Sequence, residues 1–173
     1  MGRVAWVLLL ILSACASTLP GPESVACLAR MESHAASLKP VFAAMGYRFD
    51  VHLRLDEELA DVRGFSKSEN VMGDASPGGA IRLRPSRLCA NDMLGRAVVA
   101  HEMAHVALQH RAVAGSGIIV LWEQRSPQEV EADELAYAVL RQAGGDSGAA
   151  ALVSCWLGKC GSLGNPGWNR QRW

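Results

Sequence analysis

A chain of 173 residues, half of them apolar, is long enough to bury one hydrophobic core and too short for two. Seventeen basic residues balance seventeen acidic ones, so the formal net charge is zero. Charge therefore gives no argument for nucleic-acid binding or for docking on an anionic surface, and a partner has to be sought from a site.

The chain begins MGRVAWVLLLILSAC. Arg3 gives a short basic start, and the apolar run over 4–12 is too short to span a bilayer but suits a secretory signal. Its ending, LSAC, resembles the bacterial lipobox, in which the cysteine is acylated and becomes the mature N-terminus. That resemblance implies a lipoprotein signal over 1–14, lipid on Cys15 and, with Ala16 next, sorting to the outer membrane facing the periplasm. Such a lipid tethers a domain without embedding it; a cleaved signal without lipid is the alternative. A linker over 15–23 then leads into one domain over 24–173.

VACLARMESHAASLKPVFAAM has helical spacing and stops at Gly46, with Pro40 as the place where it could kink. YRFDVHLRL alternates from Tyr47 to Leu55 and reads as a strand. Residues 61–79 read as loop, with one short strand around 70–72. AIRLRP alternates again and ends at Pro85, which suits a sheet edge.

Helical patterning covers 91–111. Glycine, serine and proline punctuate 115–127, although IIVLW within that loop is apolar enough to pack down or line a groove. A further helix spans 127–142, opened by Ser126 and Pro127 and closed by Gly144. Asp146 can cap a last helix through SGAAALVSCWL. The glycine-rich tail GSLGNPGWNRQRW holds two of the five tryptophans and is expected to pack on the body.

With Cys15 set aside, Cys27, Cys89, Cys155 and Cys160 remain. An even number in an exported domain reads as two disulfides with three connectivities. Cys155–Cys160 with Cys27–Cys89 is preferred, since the first pair is local and the second ties the N-terminal helix to the core. These cysteines lack the close paired spacing of a zinc site.

The chemistry lies in AVVAHEMAHVALQH. His101 and His105 are four apart on a helix and can face one metal ion, while Glu102 is displaced by about 100° and can reach a water there without being a ligand. Two neutral nitrogens suit zinc, and the adjacent carboxylate suits the proton of its water. Surface histidines on an ordinary helix do not fit the apolar flanks, where unpaired buried imidazoles are costly.

A third ligand is needed. The metzincin pattern would place a histidine at 111, but Arg111 stands there, Leu108 replaces the expected glycine, and His110 misses by one. A glutamate on a returning helix is the other solution. Glu129 lies 24 residues beyond His105, and Asp133, four residues later, could accept from a ligating histidine and fix its tautomer. Glu131 competes for the ligand role, although it would face the opposite side of the helix, and Glu129 could instead form a capping box with Ser126. Glu134 is expected to face solvent.

Together, VVAHEMAHVALQHR and EVEADELAYAVLRQAGGD resemble the M48 family of zinc metallopeptidases. These gluzincins include membrane-bound CAAX prenyl proteases and several periplasmic lipoproteins. The resemblance covers roughly residues 70–150. It implies His101, His105 and Glu129 as ligands of one zinc ion, Glu102 as general base and Asp133 behind the ligands; NVMG and GGAIRL resemble the family's substrate-side strand. The chain departs from the family in its short segment between the two helices, which implies a more open groove. Asn165-Pro166 with Arg170 also stands where the family often has His-Pro and a downstream arginine.

The expected fold is α+β, a small mostly antiparallel sheet packed on the two metal-bearing helices as in compact gluzincins. The expected function is a zinc-dependent endopeptidase acting on extended or misfolded polypeptides in the bacterial cell envelope, with an edge strand over 79–83 holding substrate by strand addition. The alternative is a lipid-anchored, zinc-containing binding or assembly factor with little turnover. Membrane attachment would be through the N-terminal lipid only. His34, His52, Tyr137 and Arg170 are candidates to stabilise the oxyanion.

Overall fold

The computed structural model describes residues 21–59, 71–111, 126–144 and 148–159. The signal and lipid at Cys15, the IIVLW loop, the Asp146 cap and the tail with Asn165, Pro166 and Arg170 lie outside the described residues, as does Cys160. No helix among the described residues is long and apolar enough to cross a membrane.

The architecture is α+β, with five helices and a three-stranded mixed sheet among the described residues. α1 spans Pro22–Ala44 and starts earlier than its apolar pattern suggested. Pro22 occupies the first turn, where its missing N–H costs nothing, and Glu23 meets the positive end of the helix dipole. α1 runs on through Pro40 and buries Cys27, Met31, Ala35, Leu38 and Phe42, one stripe at three- and four-residue steps.

β1 is His52–Leu55, shorter than the alternating pattern. Tyr47, Phe49 and Val51 pack against the core instead of joining a ladder. The rings of Tyr47 and Phe49 meet Phe42 of α1 edge-on at 6.4 and 5.2 Å. β2 is Gly73–Ala75, displaced from the expected 70–72, and β3 is Ala80–Leu83.

Two expectations about the sheet are corrected. Its order is β1-β3-β2, with β1 parallel and β2 antiparallel to β3, so the sheet is mixed and not mostly antiparallel. A tight turn over 76–79 makes β2 and β3 a hairpin, whereas the long connection from β1 lets that strand lie parallel on the other side. Gly79 has φ +85°, and a Cβ there would collide with the Asp50 carbonyl oxygen. The second correction follows from the order: 79–83 belongs to the central strand, not to an edge. Among the described residues β2 is an edge strand, fastened to β3 by Arg82 on Asp74.

The four-residue helix α2, Pro85–Leu88, was not expected. It brings Cys89 to α1, where the expected Cys27–Cys89 disulfide closes with a Cα–Cα distance of 5.4 Å. Cys155 is also disulfide-bonded, while its expected partner Cys160 lies outside the described residues.

α3, Asp92–Ala107, is the centre of the molecule. The Asn91 side chain caps it by accepting from Leu94 N–H at 3.0 Å. α1, α4 (Pro127–Gly144), α5 (Gly148–Trp156) and β2 all pack on it, and nearly every residue from Leu94 to Val106 is buried. A helix covered on all sides reads as apolar all round, which makes its three buried polar residues the exception to explain.

Candidate metal centre

His101 and His105 lie one turn apart on α3, with Nε2 atoms 3.0 Å from each other. α4 returns beside α3 and presents Glu129 in its first turn and Asp133 one turn later. One Glu129 carboxylate oxygen is 3.3 Å from His101 Nε2, and the other is 3.4 Å from His105 Nε2. His101, His105 and Glu129 form a buried group that could hold a metal ion. Glu131 stands outside this group with its side chain 61% exposed, and Glu134 is exposed as expected.

Ser126 does cap α4, its Oγ lying 3.3 Å from Glu129 N. The cap uses the backbone of Glu129, whose carboxylate turns to the histidines. What is present is the Ser126 half of the box, since a full capping box would need the same carboxylate to reach back to Ser126 N–H.

Asp133, fully buried, lies 2.7 Å from His101 Nδ1. Accepting that N–H leaves Nε2 as the ring atom that faces Glu129 and His105: with a proton it donates to Glu129, and without one it offers a lone pair to a metal ion. Trp156 of α5 closes this side, edge-on to the His101 ring at 6.1 Å.

Glu102 points to the other wall, the strand β2. A Cβ on Gly73 would sit 2.7 Å from Glu102 Oε1, so only a glycine lets the strand pass this close to the carboxylate. Sequence reasoning did not single out Gly73 or Trp156. Gly73 lay within NVMG, and its signal was that a strand edge there is interrupted by a residue without a side chain.

The environment separates these groups electrostatically. Burial pulls the His101 imidazole down, but hydrogen bonds to Asp133 and Glu129 outweigh it and raise its pKa to about 10. Burial lowers His105. Glu102 is pushed up by burial to about 8, with His101 opposing and the charges of Glu129, Asp74 and Asp133 adding. Burial would also raise Glu129, yet its contacts with His101 and His105 hold it well below the usual carboxylate range. Three carboxyl groups, Glu102, Glu129 and Asp133, are thus buried around the two imidazoles, a donor-rich cluster in which a bound cation could find its ligands.

None of the oxyanion candidates among the described residues is part of this cluster. His34 lies 2.9 Å from Asp92, His52 is exposed on β1, and Tyr137 packs against the core. No protein-family model, curated protein or solved structure matches the chain.

Proposed function

We propose that the chain is a zinc-dependent endopeptidase of the M48 type, acting on extended or misfolded polypeptides at the cell envelope. The observation that carries the reading is the convergence of His101, His105 and Glu129 with Glu102 beside them but turned away. The donor set is two imidazoles and a carboxylate, which suits zinc. Donor spacings of 3.0, 3.3 and 3.4 Å compare with edges of roughly 3.3–3.6 Å for a tetrahedron drawn with ordinary zinc–ligand bonds. Three protein ligands also leave a tetrahedral position open, as catalytic zinc requires.

Zinc held there would supply Lewis acidity to the scissile carbonyl and acidify a water. Glu102 is the base: it takes the proton of the attacking water and delivers it to the leaving amine. Its elevated pKa of about 8 in the metal-free chain belongs to a carboxyl able both to accept and to return a proton. Asp133 keeps His101 in its ligating tautomer. The edge strand β2, beside Glu102, is suited to hold an extended peptide by strand addition and lay its backbone along the site.

The test is cleavage of casein or of an unfolded outer-membrane protein by the purified chain. Activity that vanishes with a chelator and returns with zinc supports the reading. A zinc-loaded protein that cleaves neither substrate would instead favour a binding or assembly factor. Membrane attachment through Cys15 is a separate proposal: Cys15→Ala should leave an uncleaved or soluble form, and a parent found wholly soluble in the periplasm would overturn it.

A further inference from the structure

Two residues that the proposed chemistry does not use meet behind the second histidine. α3 ends at Ala107, earlier than its helical pattern suggested, and Gln109 takes a left-handed conformation with φ 56°. The chain thereby turns back, Gln109 N donating to Val106 O at 3.1 Å and His110 N to His105 O at 3.0 Å. The turn brings His110, which is 8% exposed, against the rear of the His105 ring. Their Nδ1 atoms are 3.0 Å apart, and His110 Nε2 lies 3.2 Å from Glu131 Oε2 on α4.

The direction of these bonds follows from what each atom can do. The Glu131 carboxylate only accepts, so His110 Nε2 is the donor there. A neutral His110 with its proton on Nε2 has a lone pair on Nδ1, which accepts the proton on His105 Nδ1. That leaves the lone pair of His105 on Nε2, the atom facing His101 and Glu129. The opposite sense would place a proton on His105 Nε2 and block ligation.

Resting on the metal-centre reading, we propose that His110, oriented by Glu131, is a positioning residue that fixes the ligating tautomer of His105. The two ligands are then supported in different ways. Asp133 contacts His101 directly and within the core, whereas Glu131 reaches His105 through an intervening imidazole from a largely exposed position. Neither His110 nor Glu131 is a ligand in this arrangement, although Glu131 competes for that role in sequence and His110 misses the metzincin position by one.

The experiment is zinc affinity of the full chain by competition with a chromophoric chelator, together with 15N NMR of the histidine rings in the zinc-loaded protein. His110→Leu should weaken zinc by roughly 10- to 100-fold, the usual effect of losing a partner behind a ligand. His110→Gln, whose side-chain oxygen can accept from His105 Nδ1, should recover most of that loss. Glu131→Leu, at an exposed position that tolerates change, should weaken zinc by several-fold and remove the single His110 tautomer. The parent spectrum should show His110 protonated on Nε2 alone.

A parent that binds zinc while His110→Leu and Glu131→Leu bind it equally well would overturn this proposal and leave the metal centre standing. So would a His110 protonated on Nδ1, or a folded His110→Gln no better than His110→Leu. A parent that binds no zinc would overturn both.

Discussion

Glu102 and Glu129 are buried in the same cluster, yet the walls they face treat them differently. The α4 wall is made of side chains: Glu129 contacts both histidines and Asp133 backs one of them. The β2 wall is made of backbone: Gly73 offers Glu102 no side chain, only room. Imidazole contacts hold Glu129 ionised and suited to bind a cation, while burial pushes Glu102 toward the protonated form and suits it to move protons. On the proposed reading, the same side chain would acquire two roles from two neighbourhoods. Changes on the α4 wall should move metal affinity, and changes on the β2 wall should move turnover.

The largest effect is expected from Glu129→Gln, which leaves two histidines and a weak donor. Zinc affinity should fall by more than the roughly 10- to 100-fold typical of partners behind a ligand, with cleavage lost alongside it. Near-parental zinc in that variant, measured by competition, would break the comparison. On the opposite wall, Gly73→Ala drives a methyl group against the Glu102 carboxylate. Turnover should drop toward 10²-fold, as for a displacement of about 1 Å, while zinc stays bound; loss of zinc with unchanged turnover would contradict the division of labour.

Asp133→Asn sharpens the α4 side. The amide can still accept from His101 Nδ1 but no longer as a carboxylate, so zinc affinity should fall by no more than about 10-fold, toward the lower end of the range for such partners; an unaltered affinity would show that the carboxylate adds nothing.

The smallest effect concerns pH. Without metal, Glu102 binds its proton more tightly in the folded chain (about 8) than a free glutamate does (4.5), and His101 more tightly (about 10) than a free histidine (6.5). Both contributions to stability are complete at low pH, and they fade as pH rises across about 4.5–8 and 6.5–10 respectively. Zinc competes with those protons, so the rise in Tm on adding zinc should grow between about pH 6 and pH 8. A shrinking increment would contradict the assignment.

How much of this was legible in sequence depends on whether a feature is local. The four-residue spacings of His101–His105 and Glu129–Asp133 are helix geometry, and the structure brings the first three together with Asp133 behind. Cys27–Cys89 followed from cysteine count and from the need to fasten α1. The sheet was less legible because strand order is set by contacts distant in sequence: the alternation in AIRL reads alike for an edge or a central strand, and Tyr47, Phe49 and Val51 alternate because they pack against the core, the two rings on Phe42 of α1. The end of α3 was hidden too, since a glutamine in the left-handed conformation at 109 replaces the glycine that ordinarily announces a helix stop. That turn is what carries His110 back to His105.

The central claim is that Glu102 serves the reaction and not the metal, and Glu102→Gln tests it most directly when zinc content and casein cleavage are measured on the same preparation. Glutamine keeps the size of the side chain and removes the proton acceptor. The account expects a folded variant that retains its zinc and cleaves roughly 10² to 10⁴-fold more slowly than the parent. A variant that cleaves as fast as the parent, or that loses zinc as Glu129→Gln is expected to, would contradict it.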